Sequence, residues 1–226
     1  MLMLFVLTIA AGARADTVTL KLVGVGPGAS GGPTAAGGVY VYPYYLDITG
    51  SSGPTSRVAL ICDDYAHEVH VGETWRANVY SMTDIQLGAG QMTPVSGSKL
   101  QAYEEAAWLY QQMGTNPSPD LAAATNYAIW GLFYTFPNHT AGYNAYHASY
   151  GSYSPGALAS TAGTQTFTIS EFSNIRFYTP QPLSQSAGCG LPQEFIGTVP
   201  EPASLTLLAT GLFGLVAGGL RHKLRK

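Results

Sequence analysis

The stretch Thr17–Val25, Thr-Val-Thr-Leu-Lys-Leu-Val-Gly-Val, sets the fold class of this chain. Its residues alternate between polar and apolar and include several β-branched side chains, a pattern typical of a strand with one buried face. Further segments predict additional strands: Val39–Ile48, Arg57–Tyr65, Gln165–Ser170 and Asn174–Tyr178. Both the beginning and the end of the central region are therefore predicted to be β-rich.

Helical patterns lie between these β-rich regions. Apolar residues recur at helical spacing within Ser98–Met113. They are Leu100, Tyr103, Ala107 and Tyr110. Asp120 is placed to cap a second helix that runs to Phe133 or Tyr134, and Gly142–Tyr150 indicates a third. We therefore expect an α+β fold: a β-rich sandwich or barrel-like body with a helical insert near residues 98–150.

Charged residues are scarce, at 10% of 226 residues, against about 25% in an ordinary soluble domain. All 13 acidic residues lie between Asp16 and Glu201, and the five basic residues in that span leave it a formal charge of −8. The other basic residues are Arg14 and four in the last six positions. This distribution excludes a basic nucleic-acid binder, and a hydrophobic content of 46% excludes a charged disordered chain.

The first fifteen residues have the pattern of a secretory signal peptide. Residues 1–12 are apolar, and Ala13-Arg14-Ala15 places small residues at the −3 and −1 positions of a cleavage after Ala15. The basic segment that usually precedes such an apolar run is missing. A buried N-terminal strand or helix is the alternative. We expect a signal peptide at 1–15, an exported domain at 16–178 and a Pro-, Gly-, Ser- and Gln-rich stalk at 179–198.

The C-terminal residues 199–226 contain three elements in order. Pro200-Glu201-Pro202 interrupts any helix, and eighteen uncharged residues, Ala203–Leu220, follow it. As a helix these residues would extend about 27 Å, close to the hydrocarbon thickness of a bilayer. The basic tail then contains Arg221, Lys223, Arg225 and Lys226. This order predicts a transmembrane helix at 203–220 with a stop-transfer tail at 221–226 that stays in the cytoplasm.

This arrangement resembles the PEP-CTERM sorting signal, which consists of a Pro-Glu-Pro motif, one transmembrane helix and a short Arg-rich tail. The resemblance implies a Gram-negative bacterium and processing by an exosortase, with Pro200, Glu201 and Pro202 as recognition residues. It also implies a transient inner-membrane intermediate, then delivery to the cell surface or extracellular matrix, often with exopolysaccharide in biofilms. A permanent tail anchor is the alternative explanation of the same pattern.

The two cysteines, Cys62 and Cys189, both lie in the exported part of the chain. An even number of cysteines in an oxidising compartment indicates a disulfide between them. Against that pairing, Cys189 falls in the predicted stalk and Cys62 in an apolar strand. Two separate thiols are therefore the alternative.

A second resemblance involves Cys62. The stretch around this residue, together with Thr125-Asn126-Tyr127-Ala128-Ile129-Trp130, resembles surface thioester domains. Those domains carry a Cys on a strand and a Thr-Gln-x-Ala-Ile-Trp motif on a helix, and the Cys and Gln form a thioester that traps amines. Here Asn126 stands in the place of the Gln, and its side chain is one methylene shorter. The resemblance implies a thioester-domain-like fold and, through Cys62 and Asn126, a covalent adhesin.

No set of residues has the spacing of an established catalytic or metal site. A polar cluster follows the strand that contains Cys62, and its members are Asp63, Asp64, His67, Glu68 and His70. The cluster lacks the ligand spacing of metal sites and is interpreted as a polar strand face and turn, so we expect no metal and no cofactor. We expect a non-enzymatic, structural or adhesive surface protein that contacts exopolysaccharide or other surface ligands. A covalent thioester adhesin and a secreted enzyme are the alternatives.

Overall fold

The computed structural model describes residues 16–26, 38–50, 53–182 and 190–198. The strands of this part are β1 (Asp16–Val25), β2 (Tyr44–Gly50), β3 (Thr55–Cys62), β4 (Thr74–Tyr80), β5 (Ile175–Pro180) and β6 (Phe195–Thr198). The α-helices are α1 (Met82–Gln86), α2 (Lys99–Met113), α3 (Pro119–Phe133), α4 (Ala141–Tyr146) and α5 (Pro155–Ala162), and a short 3₁₀ helix spans Ile169–Phe172. The strands close into an antiparallel barrel in the order β1-β2-β3-β6-β5-β4.

Alternation along the strands divides the apolar side chains into two cores. Leu60 and Phe195 belong to a core inside the barrel, where they pack with Leu20, Leu22 and Trp75. Their strand neighbours Ile61 and Ile196 point the other way, into a core shared with α2 and α3. This division follows from the period of two in a strand, because one face fills the barrel and the other accepts the helices.

The two long helices begin at serine caps. The Ser98 hydroxyl accepts a hydrogen bond from the Gln101 amide at 3.1 Å, and the Ser118 hydroxyl accepts one from the Leu121 amide at 3.2 Å. These bonds satisfy backbone donors that the first turn of a helix leaves free. The helices then pack against each other and against one side of the barrel, where the shared core holds them.

The structure confirms a barrel-like α+β body and excludes the sandwich. The predicted strand Thr17–Val25 is β1, and the predicted helix Ser98–Met113 is α2 with its cap. The helical region is longer than the predicted insert at 98–150, because it begins with α1 at Met82 and extends through α5.

Two predictions made from local composition are wrong. Gln165–Ser170 forms no strand, and its end belongs to the 3₁₀ helix. The predicted stalk at 179–198 is also wrong for its described residues. Thr179 and Pro180 complete β5, while Phe195–Thr198 forms β6, which pairs with β3 and β5. Burial in the barrel outweighs the loop-like composition of this region.

Candidate functional site

The turn after β3 is built around the buried carboxylate of Asp64. One oxygen accepts the backbone amides of Ala66 at 3.0 Å and His67 at 3.3 Å. The other oxygen lies 2.7 Å from Nδ1 of His67 and accepts the side-chain amide of Gln91 at 2.9 Å. A carboxylate at Nδ1 favours the tautomer with the proton on that nitrogen, so Nε2 of His67 remains as an acceptor. Asp64 thus fixes the orientation of a half-exposed histidine ring.

Aromatic side chains surround this turn. The ring of Tyr65 packs edge-to-face on Trp130 of α3, with centroids 5.1 Å apart, and edge-to-face on Phe136 at 4.8 Å. Tyr44 of β2 donates from its hydroxyl to the backbone oxygen of Tyr40 at 2.7 Å. Edge-to-face aromatic packing adds stability beyond the burial of area, so these rings form a rigid surface.

A pocket of about 350 Å³ opens between the turn and the aromatic residues. Its aromatic lining is Tyr40, Tyr44, Tyr65 and Trp130, and its polar lining is His67, Glu68, His70 and Gln193. We call this the aromatic pocket. Its volume lies in the range of small-molecule sites, which are mostly apolar with a few placed polar groups.

Gln193 holds one side of the aromatic pocket in place. Its side-chain amide donates to the backbone oxygens of Asp64 at 2.8 Å and His67 at 2.6 Å. Because Gln193 directly precedes Glu194 and β6, the barrel and the turn after β3 are tied together at this point. The pocket therefore rests on the barrel rather than on a free loop.

A buried acidic pair lies behind the turn. Glu194 accepts hydrogen bonds from the hydroxyls of Tyr103 and Thr179 and from the Gln91 amide, the last at 3.1 Å. Asp63 is fully buried beside it, and neither of its carboxyl oxygens receives a donor from the described residues. Burial raises the pKa of Asp63 well above its usual value, and the charges of Glu194 and Asp64 raise it further. Burial also raises the pKa of Glu194, so the pair favours a state in which Asp63 keeps its proton.

The structure brings Cys62 and Asn126 together, as the thioester resemblance implies. The side-chain amide of Asn126 donates to the backbone oxygen of Cys62 at 2.8 Å, and its oxygen accepts the Tyr42 amide at 2.8 Å. The Cys62 thiol is buried and donates to the backbone oxygen of Asp64 at 3.2 Å, and burial raises its pKa well above the usual value. A buried thiol of this kind is a poor nucleophile. The thioester stays a prediction.

Several predicted site residues fall outside the described residues. Cys189 is one of them, so the disulfide with Cys62 also stays a prediction. The others are Ala13 and Ala15 of the signal peptide, Pro200, Glu201 and Pro202 of the motif, and Arg221, Lys223, Arg225 and Lys226 of the tail. The predicted span Ala203–Leu220 also lies outside them, and the described helices include none with the length and apolarity needed to span a bilayer.

Sequence reasoning did not predict the aromatic pocket, although His67, Glu68 and His70 of the polar cluster line it. The cluster from Asp63 to His70 was interpreted as a polar strand face and turn, and within the described ranges no group of three or more His, Cys, Asp or Glu residues is placed to hold a metal. It missed the Asp64–His67 pair, although a carboxylate three residues before a histidine is a local signal. Gln193 and Glu194 could not be found, because their partners are distant in the sequence.

Comparison with known proteins identifies the C-terminal signal. Residues 198–222 match the PEP-CTERM protein-sorting motif, which covers the Pro-Glu-Pro sequence and the start of the basic tail. No curated protein and no solved structure matches the chain significantly. The chain carries a PEP-CTERM sorting motif and is, on that evidence, an exosortase substrate that is exported and sorted to the cell surface.

Proposed function

We propose that this exported protein is a non-enzymatic surface adhesin that binds neutral saccharides in the aromatic pocket. The observation that carries the proposal is the combination of a rigid aromatic lining with a polar rim in one pocket. Flat aromatic faces pack against the apolar faces of sugar rings, while polar groups at the rim exchange hydrogen bonds with sugar hydroxyls.

The rim has suitable hydrogen-bonding groups. His67 offers Nε2 as an acceptor because Asp64 binds its other ring nitrogen, and Glu68 and His70 are exposed beside it. Both kinds of group are needed at a hydroxyl-rich ligand, since each hydroxyl can donate and accept. The span from Asp16 to Glu201 carries a formal charge of −8, which favours neutral over acidic polysaccharides.

Binding to neutral polysaccharides tests the proposal. The full-length chain is titrated with fragments of dextran, cellulose and galactomannan, and the same titrations are made with Tyr40→Ala and His67→Ala. We expect each variant to lose about tenfold or more in affinity for the fragment that binds, which corresponds to about 1.4 kcal/mol. Tyr45→Ala is the matched control, because Tyr45 is 37% exposed, against 38% for Tyr40, and does not line the pocket.

Two results would contradict the saccharide site. One is the absence of saturable binding to every fragment, and the other is an equal loss of affinity in the Tyr45→Ala control.

The sorting part of the proposal has its own test. Substitution of Pro200, Glu201 and Pro202 by Ala should abolish processing in cells that contain an exosortase, and unchanged processing and location would contradict the sorting assignment.

The proposed route has an inner-membrane intermediate. Export would bring the body across the inner membrane, and the predicted span Ala203–Leu220 with its basic tail would hold it there until the exosortase acts. Fractionation of cells without an exosortase should therefore find the protein in the inner membrane. A fully released protein in those cells would contradict this intermediate.

A further inference from the structure

A second cavity, separate from the aromatic pocket, lies where the helices meet. It has a volume of about 330 Å³ and shares no lining residue with the aromatic pocket. Its lining comes from the segment before α2 and from α2, α3, α4 and α5: Val95, Ser96, Gly97, Gln101, Ala102, Glu105, Gly131, Leu132, Tyr146, Ala159 and Gly163. We call this the helical cavity. For comparison, an apolar cavity of about 150 Å³ in a protein core holds benzene.

The helical cavity exists because small residues stand where the helices approach one another. A Cβ at Gly131 would come within 2.3 Å of the Tyr146 ring, so only glycine lets this ring form the wall. Ala102, Ala159 and Gly163 leave the remaining space open. The walls are mostly uncharged, and Tyr146 and Leu132 provide the larger apolar surfaces.

One carboxylate lines this cavity. Glu105 is only 8% exposed, and one of its oxygens accepts the side-chain amide of Gln101 at 2.9 Å. The other oxygen has no donor among the described residues. Among the described residues no lysine or arginine lines the cavity, and the amine of Lys99, at the start of the same helix, donates to the backbone oxygen of Gly90 at 2.9 Å. Within this part of the chain the carboxylate therefore has a free acceptor and no basic side chain beside it.

A carboxylate in such a place gains most from a cationic partner. Burial of a charge without a partner is costly, and two opposite charges attract each other more strongly where burial lowers the effective dielectric constant than in bulk water. Tyr146 adds an aromatic ring to the wall, and such rings attract cations. The cavity favours a cation with an organic body over a hydrated metal ion, because a metal ion needs several oxygen ligands and one carboxylate supplies at most two.

From this geometry we propose that the helical cavity binds a small organic ammonium ion, with Glu105 as its counter-ion and Tyr146 as its aromatic wall. This site goes beyond the proposed saccharide site and does not depend on it. The negative charge of the exported span would raise the local concentration of such cations.

The test compares choline with a neutral molecule of the same shape and adds ethanolamine as a second cation. The purified full-length chain is titrated by calorimetry with choline, with ethanolamine and with 3,3-dimethylbutan-1-ol, the neutral carbon analogue of choline. We expect at least one cation to bind with a dissociation constant of about 10 µM to 1 mM, and the neutral analogue to bind at least about tenfold more weakly. Binding of the cation should weaken as salt increases.

Two variants assign the binding to the helical cavity. Glu105→Gln keeps the shape of the side chain and its bond with Gln101 but removes the charge, so it should weaken cation binding at least about tenfold. Glu104→Gln, on the same helix but outside the lining, is the matched control and should bind as the unmodified chain does. Ala159→Met, which fills the cavity without changing its charge, should also abolish binding, and its melting temperature shows whether it folds.

The outcomes separate the proposal from its alternatives. Equal affinity for choline and its neutral analogue would show an apolar cavity and overturn the proposal. Equal binding in Glu105→Gln and the unmodified chain would place the cation elsewhere, and the absence of saturable binding by either cation would also overturn it. Since Tyr40→Ala leaves the helical cavity intact, loss of saccharide binding in that variant with unchanged cation binding would show that the two sites are independent.

Discussion

At the scale of single residues, the buried pair of Asp63 and Glu194 shows how the fold handles acidic side chains without a basic partner. Glu194 has three donors from the protein, whereas Asp63 has none. If both were ionised, two like charges would lie side by side in a fully buried site. Sharing one proton removes that repulsion and lets Asp63 donate to Glu194. The stability of the fold should then depend on the retention of this proton.

The shared proton predicts that the protein becomes less stable as the pH rises. Asp63 has a normal pKa of about 4 in the unfolded chain and a raised pKa in the folded chain. Between these two values the folded state holds a proton that the unfolded state has released. The free energy of unfolding should therefore fall with increasing pH, by at most about 1.4 kcal/mol per pH unit for one proton. Denaturation with urea from pH 4 to pH 9 measures this slope.

Asp63→Asn is the variant that isolates the proton. Its side-chain amide donates to Glu194 at every pH, so the slope assigned to Asp63 should disappear, and the variant should be more stable than the unmodified chain at high pH. Asp47→Asn is a suitable control, since Asp47 pairs with Arg57 at the surface, 2.7 Å away, and lies far from the buried pair in the register of β2 and β3. An unchanged slope in Asp63→Asn would disprove the one-proton arrangement.

We predict that Asn126 stabilises the fold by joining two backbone segments through hydrogen bonds. It bonds the backbone of Cys62 at the end of β3 and of Tyr42 before β2, and it is fully buried. Asn126→Ala would leave a buried carbonyl and a buried amide unpaired, at a cost of about 1–3 kcal/mol each. We expect a loss of about 2–6 kcal/mol in the free energy of unfolding. Thr125→Ser, at a neighbouring buried position without these two bonds, is the control, and a comparable loss in both variants would contradict the role.

The thioester has a separate readout in the intact mass. Formation of the bond between Cys62 and Asn126 would release ammonia and reduce the mass by about 17 Da. We expect the full mass, because both ends of the Asn126 amide are committed to backbone hydrogen bonds and the thiol is protonated. A loss of about 17 Da that Cys62→Ala abolishes would establish the thioester instead.

The sequence patterns predicted which residues lie close together better than they predicted the chemical roles of those residues. The thioester resemblance paired Cys62 with Asn126, and the fold places the Asn126 side chain on the Cys62 backbone, since one residue ends a strand and the other lies on the helix packed against it. The roles of Asp63 and Glu194 could not be predicted in this way. Whether a carboxyl group lies on a polar surface or in a buried acidic pair depends on burial by segments that are distant in the sequence. Local periodicity does not report this burial.

At the scale of elements, β6 has more influence than its four residues suggest. It fills the gap between β3 and β5 and so closes the barrel. The sequence around it is rich in Gly, Pro and polar residues, and four residues are too few to show alternation. The longer elements β1, α2 and α3 were predicted because each spans at least ten residues with a clear pattern, but the predicted cap of α3 is wrong: Ser118 caps this helix, and Asp120 lies in its first turn.

Gly197 makes the closing of the barrel testable. A Cβ at this position would lie 2.1 Å from Cδ2 of Leu60, a side chain with no exposed surface on the neighbouring strand. Leu60 cannot move away without disturbing the core, so Gly197→Ala should lower the free energy of unfolding by about 1–3 kcal/mol.

The matched control for this prediction is Gly156→Ala at the start of α5. A Cβ there meets no atom within 4 Å, and alanine favours helix over glycine. Thermal unfolding of both variants, followed by circular dichroism, compares them directly. If Gly197→Ala were as stable as Gly156→Ala, β6 would not be a tightly packed strand of the barrel.

At the scale of the whole molecule, β6 lies between the aromatic pocket and the sorting motif along the chain. Gln193 lines the aromatic pocket two residues before β6 begins, and Thr198 ends β6 at the first residue of the sorting motif. The pocket and the sorting signal therefore adjoin opposite ends of one strand. If the barrel were held at the cell surface through its C-terminal end, the pocket end of β6 would lie away from the point of attachment.

This arrangement predicts that the folded barrel restricts processing by the exosortase. Only Val199 separates Thr198 from Pro200, so the chain from Thr198 to Glu201 can extend no more than about 10 Å from the barrel. An enzyme that binds the motif must approach within that distance of a folded body. Ten Gly and Ser residues inserted between Thr198 and Val199 should therefore speed removal of the tail several-fold in a pulse-chase experiment, because a flexible spacer of this length adds about 15–20 Å on average. The same ten residues inserted between Thr115 and Asn116, in the exposed connection of α2 and α3, lengthen the chain equally without changing the distance and should leave the rate unchanged. Equal rates for both insertions and the unmodified chain would show that the exosortase reads the motif independently of the barrel that precedes it.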